Sequence, residues 1–170
     1  MSKLAFIFPG QGAQKAGMGK DFYENSEAAR SFFDNAQKIL DFDLKEMCFG
    51  EHEELNLTEY TQPCMVSVCL AIVQELKKRG ITPDITAGLS LGEYAAVAAA
   101  GGMNELDAIK LVRRRGILMQ STVPAGEGAM AAVLGLDAKK IEEILESFEN
   151  VWIANYNCPG QIVITGLTNE

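Results

Sequence analysis

Residues 83–94 read Pro-Asp-Ile-Thr-Ala-Gly-Leu-Ser-Leu-Gly-Glu-Tyr, and Ala95 to Ala100 follow, alanine at every place but Val97. This sets G-x-S-x-G where a strand-like segment gives way to a helix-like one. A backbone turning that sharply has no room for side chains two residues either side of the apex, and Gly88 and Gly92 remove them. Such a turn is a nucleophile elbow: it aims the Ser90 hydroxyl away from the sheet and sets a helix N-terminus behind it, where negative charge is favoured. The same residues also describe a tight strand-to-helix turn with a capping serine. Both readings demand an α/β architecture.

The remaining pattern extends it. Leu4 to Phe8 reads as a short buried strand. Ala29, Phe32, Phe33, Ala36 and Leu40 fall on one face of a helix. Asp41 to Tyr60 reads as irregular and acidic. A helix is expected from about Pro63, at a first-turn position, to a basic last turn at Lys77-Lys78-Arg79 stopped by Gly80. After the elbow helix Gly101-Gly102 breaks the run, and Asn104 can cap a helix reaching about Gln120. Ser121 to Gly128, with Pro124, Gly126 and Gly128, reads as a linker. Beyond it a strand (Ala129 to Leu134), a helix capped by Asp137 with Ile141, Ile144, Leu145 and Phe148 on one face, and strands at Val151 to Asn155 and Gln161 to Thr165 make three-quarters of a ferredoxin-like unit. The missing helix and strand lead us to expect that Glu170 is not a natural domain end.

Bulk properties exclude several classes. A chain of 170 residues can bury a proper core. There is no apolar run long enough to span a bilayer and no cationic leader, so no membrane association is expected and the cytoplasm is the expected compartment. The net charge of -8 argues against nucleic acid. Cys48, Cys64, Cys69 and Cys158 lack C-x-x-C spacing, so reduced thiols are expected rather than disulfides or a metal site.

Six motifs occur in order: Ile7-Phe8-Pro9-Gly10-Gln11-Gly12, Tyr60-Thr61-Gln62-Pro63, Gly88 to Tyr94, Arg115-Gly116-Ile117-Leu118-Met119-Gln120, Gly128-Ala129-Met130-Ala131-Ala132-Val133 and Asn155-Tyr156-Asn157-Cys158-Pro159-Gly160-Gln161. Together they resemble the N-terminal part of the malonyl-CoA:acyl-carrier-protein transacylases of fatty acid synthesis. One departure is Leu89, where family members often carry histidine. The resemblance implies an α/β-hydrolase-like core over residues 1–124 and the start of a ferredoxin-like subdomain over 125–170. It also implies transfer of malonyl from coenzyme A to the phosphopantetheine thiol of an acyl carrier protein through a Ser90 ester. Coenzyme A enters as substrate, and no cofactor or metal is expected.

A serine needs a base, and elbow enzymes place their histidine after the serine. Here the single histidine, His52, lies upstream among glutamates, where a solvated role is expected. The resemblance puts the base, and the asparagine or glutamine that orients it, beyond residue 170. One oxyanion donor is the Leu91 N–H by elbow geometry; resemblance assigns the other to the backbone of Gln11. Val112, Arg115, Gly116 and Met119 share one helical face, so Arg115 needs an anion there. That anion is an internal Asp or Glu or, by resemblance, the free carboxylate of a malonyl group. Arg113 and Arg114 point elsewhere, and Arg114 with Lys110 makes a basic edge suited to an acidic carrier protein. The resemblance adds Gln62, Asn155, Asn157 and Gln161 to the substrate-binding set; the last three also suit a plain Pro-Gly turn. Competing readings are a stand-alone polyketide acyltransferase, a catalytically incomplete fragment or binding module, and a plain serine hydrolase, whose neutral substrate would leave Arg115 unpartnered.

Overall fold

The computed structural model describes residues 3–123 and 126–170. Pro124, in the expected linker, and Ala125, at the expected start of the second domain, lie outside the described residues. The chain divides into two compact units, one running to Gln120 and the other from Ser121 to Glu170; the first thus ends in the last turn of a helix.

The first unit holds two parallel strands, β1 (Ala5–Phe8) and β2 (Ile85–Gly88), paired in register from Ala5↔Ile85 to Phe8↔Gly88. Helix α5 (Gly92–Ala99) packs on both strands, leaving one sheet face open. Side chains alternate across a strand. Phe8 is therefore buried while Ile7 is 79% exposed and Ile85 55% exposed. The expected buried strand is buried on one face only.

Around the sheet run α1 (Lys20–Asn25), α2 (Glu27–Gln37), α3 (Leu44–Phe49), α4 (Thr58–Lys78) and α6 (Glu105–Thr122). Helix α2 buries Ala29, Phe32, Phe33 and Ala36, the face its spacing predicts. Helix α6 is capped as expected, the Asn104 carboxamide oxygen accepting from Leu106 and Asp107 N–H at 3.0 and 3.2 Å. The acidic stretch is more ordered than its sequence suggests. Asp43 caps α3 by accepting from Glu46 N–H at 3.0 Å, and residues Glu53–Asn56 form a 3-10 turn. A six-residue helix is too short for its periodicity to show.

Helix α4 begins at Thr58, not near Pro63. Proline inside a helix withholds the N–H that the carbonyl four residues earlier needs. That carbonyl, of Glu59, instead accepts from Arg113 Nη1 at 2.8 Å. The same guanidinium forks onto Asp41 with two 2.9 Å bonds, beside the rings of Phe42 and Tyr60 at 5.1 and 5.0 Å, which themselves meet edge to face. Charge-assisted bonding from Arg113 holds the Asp41 carboxyl below the usual carboxylate range. An arginine from α6 thus repairs a proline defect in α4.

The second unit is an antiparallel sheet in the order β3-β5-β4, from β3 (Gly128–Leu134), β4 (Val151–Cys158) and β5 (Gln161–Leu167), with α7 (Ala138–Leu145). Asp137 stands at the N-cap of α7, but its side chain makes no capping bond. Pro159 and Gly160, the latter at φ 78°, join β4 to β5 in the pattern of a type II turn.

Candidate active site

Ser90 is the only non-glycine among the described residues with a positive φ, 49°. That left-handed conformation costs a residue with a side chain about 1–3 kcal/mol and persists only where its surroundings impose it. The surroundings do impose it. A Cβ on Gly88 would lie 2.1 Å from the Gly92 carbonyl carbon, and one on Gly92 would lie 2.3 Å from the Phe8 oxygen. Leu91, 1% exposed, anchors the turn in the core, while Ser90 itself is exposed at the start of α5. Strand pairing sets the approach, with Leu89 N–H donating to Phe8 O at 3.1 Å. The result is a raised hydroxyl on a rigid apex.

The loop after β1 lies against this apex, since a Cβ on Gly10 would meet Leu89 O at 2.9 Å. Neither Leu91 N–H nor Gln11 N–H donates a hydrogen bond among the described residues, so both are available to an oxyanion. The Gln11 side chain turns away from the site, donating to Thr58 Oγ1 at 3.1 Å and accepting from Gln62 Nε2 at 3.4 Å. Gln62 is fully buried.

Arg113 and Arg115 part company. Arg113 is fully engaged by Asp41 and by Glu59, whose carboxylate lies at 3.2 Å. Arg115 is half-buried and makes no ion pair among the described residues; its guanidinium lies 5.6 Å from the centre of the Tyr94 ring, two residues past the elbow. The internal salt bridge that the helical face allows for Arg115 is therefore absent among the described residues. Met119, expected beside Arg115 on the apolar face, is 46% exposed, and the buried residues of α6 are Ala108, Ile109, Val112 and Gly116. Arg115 stands at the edge of that face, an anion-ready cation on a ring.

Among the described residues neither the histidine nor any cysteine bonds Ser90. His52 Nε2 lies 3.0 Å from Glu46 Oε1, and Ser90 Oγ makes no hydrogen bond among the described residues. Cys48 and Cys64 are fully buried, burial pushes the Cys69 thiol up to about 11, and Cys158 is exposed on the second unit. A thiol titrating near 11 is a poor nucleophile at neutral pH.

Residues 5–170 match the acyl transferase domain family. This chain belongs to that family. The acyl transferase domain is 50% identical over 171 residues to the malonyl CoA-acyl carrier protein transacylase of Bacillus subtilis strain 168, covering 98% of this chain and 54% of that protein. The solved structure of the malonyl CoA-acyl carrier protein transacylase from Clostridium perfringens superimposes with a TM-score of 0.89 at 45% identity, over 98% of this chain and 54% of that one. A malonyl-transacylase solved with a type II PKS acyl-carrier protein gives a TM-score of 0.89 at 39% identity, over 99% and 56%. The chain spans about half the length of the curated relatives it matches.

In the second unit of the acyl transferase domain, Asn155 pairs with Val163 between two irregularities of β4, and Asn157 Nδ2 donates to Gln161 Oε1 at 3.3 Å across the Pro-Gly turn. All three polar residues thus lie in the β4–β5 hairpin. Three participants are not singled out as site residues by the sequence, although Tyr94 and Gly116 lie within the motifs. Tyr94 supports Arg115, Thr58 holds Gln11, and Gly116 lets α6 touch the backbone of α4, a Cβ there falling 2.7 Å from Thr58 O. Only Gly116 left a signal, because glycine within a helix costs about 1 kcal/mol and so needs a reason.

Proposed function

We propose that this acyl transferase domain segment supplies the nucleophile, the oxyanion donors and the carboxylate clamp of a malonyl-CoA:acyl-carrier-protein transacylase of fatty acid synthesis, working in the cytoplasm. The observation that carries it is Ser90 held at positive φ by two glycines that admit no side chain. Ser90 Oγ attacks the thioester carbonyl carbon, whose oxygen takes the electron pair and is held by the N–H groups of Leu91 and Gln11. Collapse breaks the C–S bond, leaving malonyl-Ser90 ester and coenzyme A thiolate. The serine proton passes to a base other than His52, which is committed to Glu46, and from it to the thiolate. The carrier protein's phosphopantetheine thiol then reverses the sequence. Arg115 binds the free malonyl carboxylate, its planar fork matching two oxygens. The chemistry asks for no cofactor beyond the thioester substrate.

Several findings support this reading. The strand–elbow–helix order is that of an α/β-hydrolase-like core, and β3-β5-β4 is three-quarters of the ferredoxin-like sheet order. No helix among the described residues is long and apolar enough to cross a membrane. A related malonyl-transacylase was solved with an acyl-carrier protein, and exposed Arg114 on α6 is a cationic contact for such an acidic partner.

The test incubates the chain with malonyl-CoA, with imidazole added as external base, and maps the malonyl group by peptide mass. Malonyl on Ser90, lost in Ser90→Ala, is expected; without imidazole the 170-residue chain should sustain no turnover. Malonyl on Cys158 instead of Ser90 would overturn the serine mechanism.

A further inference from the structure

Glycine stands on either side of Gln11, with Gly12 at φ 108° and open space where its Cβ would be. Glycine-flanked backbone has little conformational restraint of its own, so an N–H there points nowhere in particular unless something outside the loop fixes it.

The side chain is what is fixed. Its Nε2 donates to Thr58 Oγ1 at 3.1 Å, and its Oε1 accepts from Gln62 Nε2 at 3.4 Å. Both partners sit in the first turns of α4. Gln62 is fully buried, and its Oε1 has no hydrogen-bond partner among the described residues. A carboxamide placed where a methionine would pack is costly unless its polar end is used, and the end in use is Nε2, which donates to Gln11 Oε1 at 3.4 Å and to Met119 Sδ at 3.3 Å. Thr58 is secured in turn: its N–H donates to Gln120 Oε1 at 3.0 Å, at the far end of α6, which lies against α4 through Gly116. The loop has a second tether, Gly12 N–H donating to Gln14 Oε1 at 2.7 Å while Gln14 Nε2 donates to Asn56 Oδ1 at 3.1 Å.

We propose that Thr58 and Gln62 are positioning residues that clamp both ends of the Gln11 carboxamide and so aim the Gln11 backbone N–H at the oxyanion. This rests on the function proposed above for Gln11 and adds that its side chain is a handle and not a substrate ligand. Gln62 then acts through Gln11.

Two readouts on the full chain test it. The first is the backbone order parameter of Gln11 from ¹⁵N relaxation, which needs no chemistry. It should fall from about 0.85 to near 0.6 in Thr58→Val and in Gln62→Met, and stay in place in Thr58→Ser, which keeps the hydroxyl. The second is the imidazole-assisted rate of Ser90 acylation by malonyl-CoA. One lost oxyanion donor is worth about 10²–10³ in rate, so loosening it should cost at least about tenfold in the first two variants, and Thr58→Ser should restore the wild-type rate. An unchanged order parameter at Gln11 in both disrupted variants overturns the clamp. Lowered order with unchanged acylation overturns the aim at the oxyanion. Failure of the wild type to acylate Ser90 refutes the proposed function instead, and the relaxation measurement still judges the clamp.

Discussion

Arg113 and Pro63 are coupled through one carbonyl, and that coupling can be measured. Arg113→Met keeps most of the stem packing and removes three things. It removes the ion pairs to Asp41, whose carboxylate is 67% exposed, and to the Glu59 carboxylate at 3.2 Å, together worth under about 1 kcal/mol. It removes the ring contacts to Phe42 and Tyr60, about 0.5 kcal/mol each. It also leaves Glu59 O without its donor, about 1–3 kcal/mol if no water reaches it. The expected loss is about 2–5 kcal/mol, a large part of the roughly 5–15 kcal/mol typical of a domain. Pro63→Ala returns an N–H aimed at that carbonyl. In the wild type the carbonyl is already served, so little changes. In Arg113→Met it should recover about 1–2 kcal/mol.

Urea unfolding followed by far-UV circular dichroism gives the four midpoints of this cycle. At a slope near ~1.2 kcal/mol/M, a loss of about 2.5 kcal/mol lowers the midpoint by about 2 M. The small volume lost from Pro63 is common to both backgrounds and cancels. Should Pro63→Ala change stability equally in both, within about 0.5 kcal/mol, the proline defect is not what Arg113 repairs.

Three further outcomes are expected. Arg115→Ala should lower Ser90 acylation by malonyl-CoA about ten- to a hundredfold, because a half-buried arginine–carboxylate contact is worth about 1.4–2.8 kcal/mol, while acylation by acetyl-CoA changes far less; equal losses would make Arg115 structural. Gly88→Ala, placing a Cβ 2.1 Å from the Gly92 carbonyl carbon, should destabilise by about 3 kcal/mol and abolish acylation, and an unaltered urea midpoint would disprove the close approach. The Asp41 carboxyl is held down by Arg113, so its contribution is present above about pH 4 and lost as pH falls through the depressed folded value; the stability gap to Asp41→Asn, under about 1 kcal/mol, should close below about pH 4, and a gap constant from about pH 6 to 2.5 would refute the pairing.

Much of this was legible where local chemistry dictates structure. G-x-S-x-G announces its turn because only glycine tolerates the backbone approach at positions 88 and 92. The α2 face and the Asn104 cap follow from spacing and a single side chain. What was not legible depends on partners distant in sequence. Pro63 reads as a helix start because the donor that excuses it lies about fifty residues away in Arg113. Ile7 reads as buried because apolar strands usually are, yet its face of the sheet is open. Thr58 carries no motif at all, since its role exists only once the Gln11 loop is beside it.

The run Arg113-Arg114-Arg115 shows how far pattern reaches and where it stops. Successive helical residues turn by about 100°, so three adjacent arginines must face three environments. Spacing alone makes Arg114 the solvated one, and it is exposed. Spacing also sends Arg113 away from the apolar face and keeps Arg115 on it, yet both border the buried stripe of Ile109, Val112 and Gly116, and the Arg113 side chain is only 12% exposed. Demand elsewhere separates them. Pro63 leaves a carbonyl without a donor and Asp41 lies beside it, so Arg113 is consumed by structure. No comparable demand meets Arg115, whose neighbour is the ring of Tyr94. A cation that makes no ion pair among the described residues, set on a ring two residues past the elbow, is what the proposed carboxylate clamp requires.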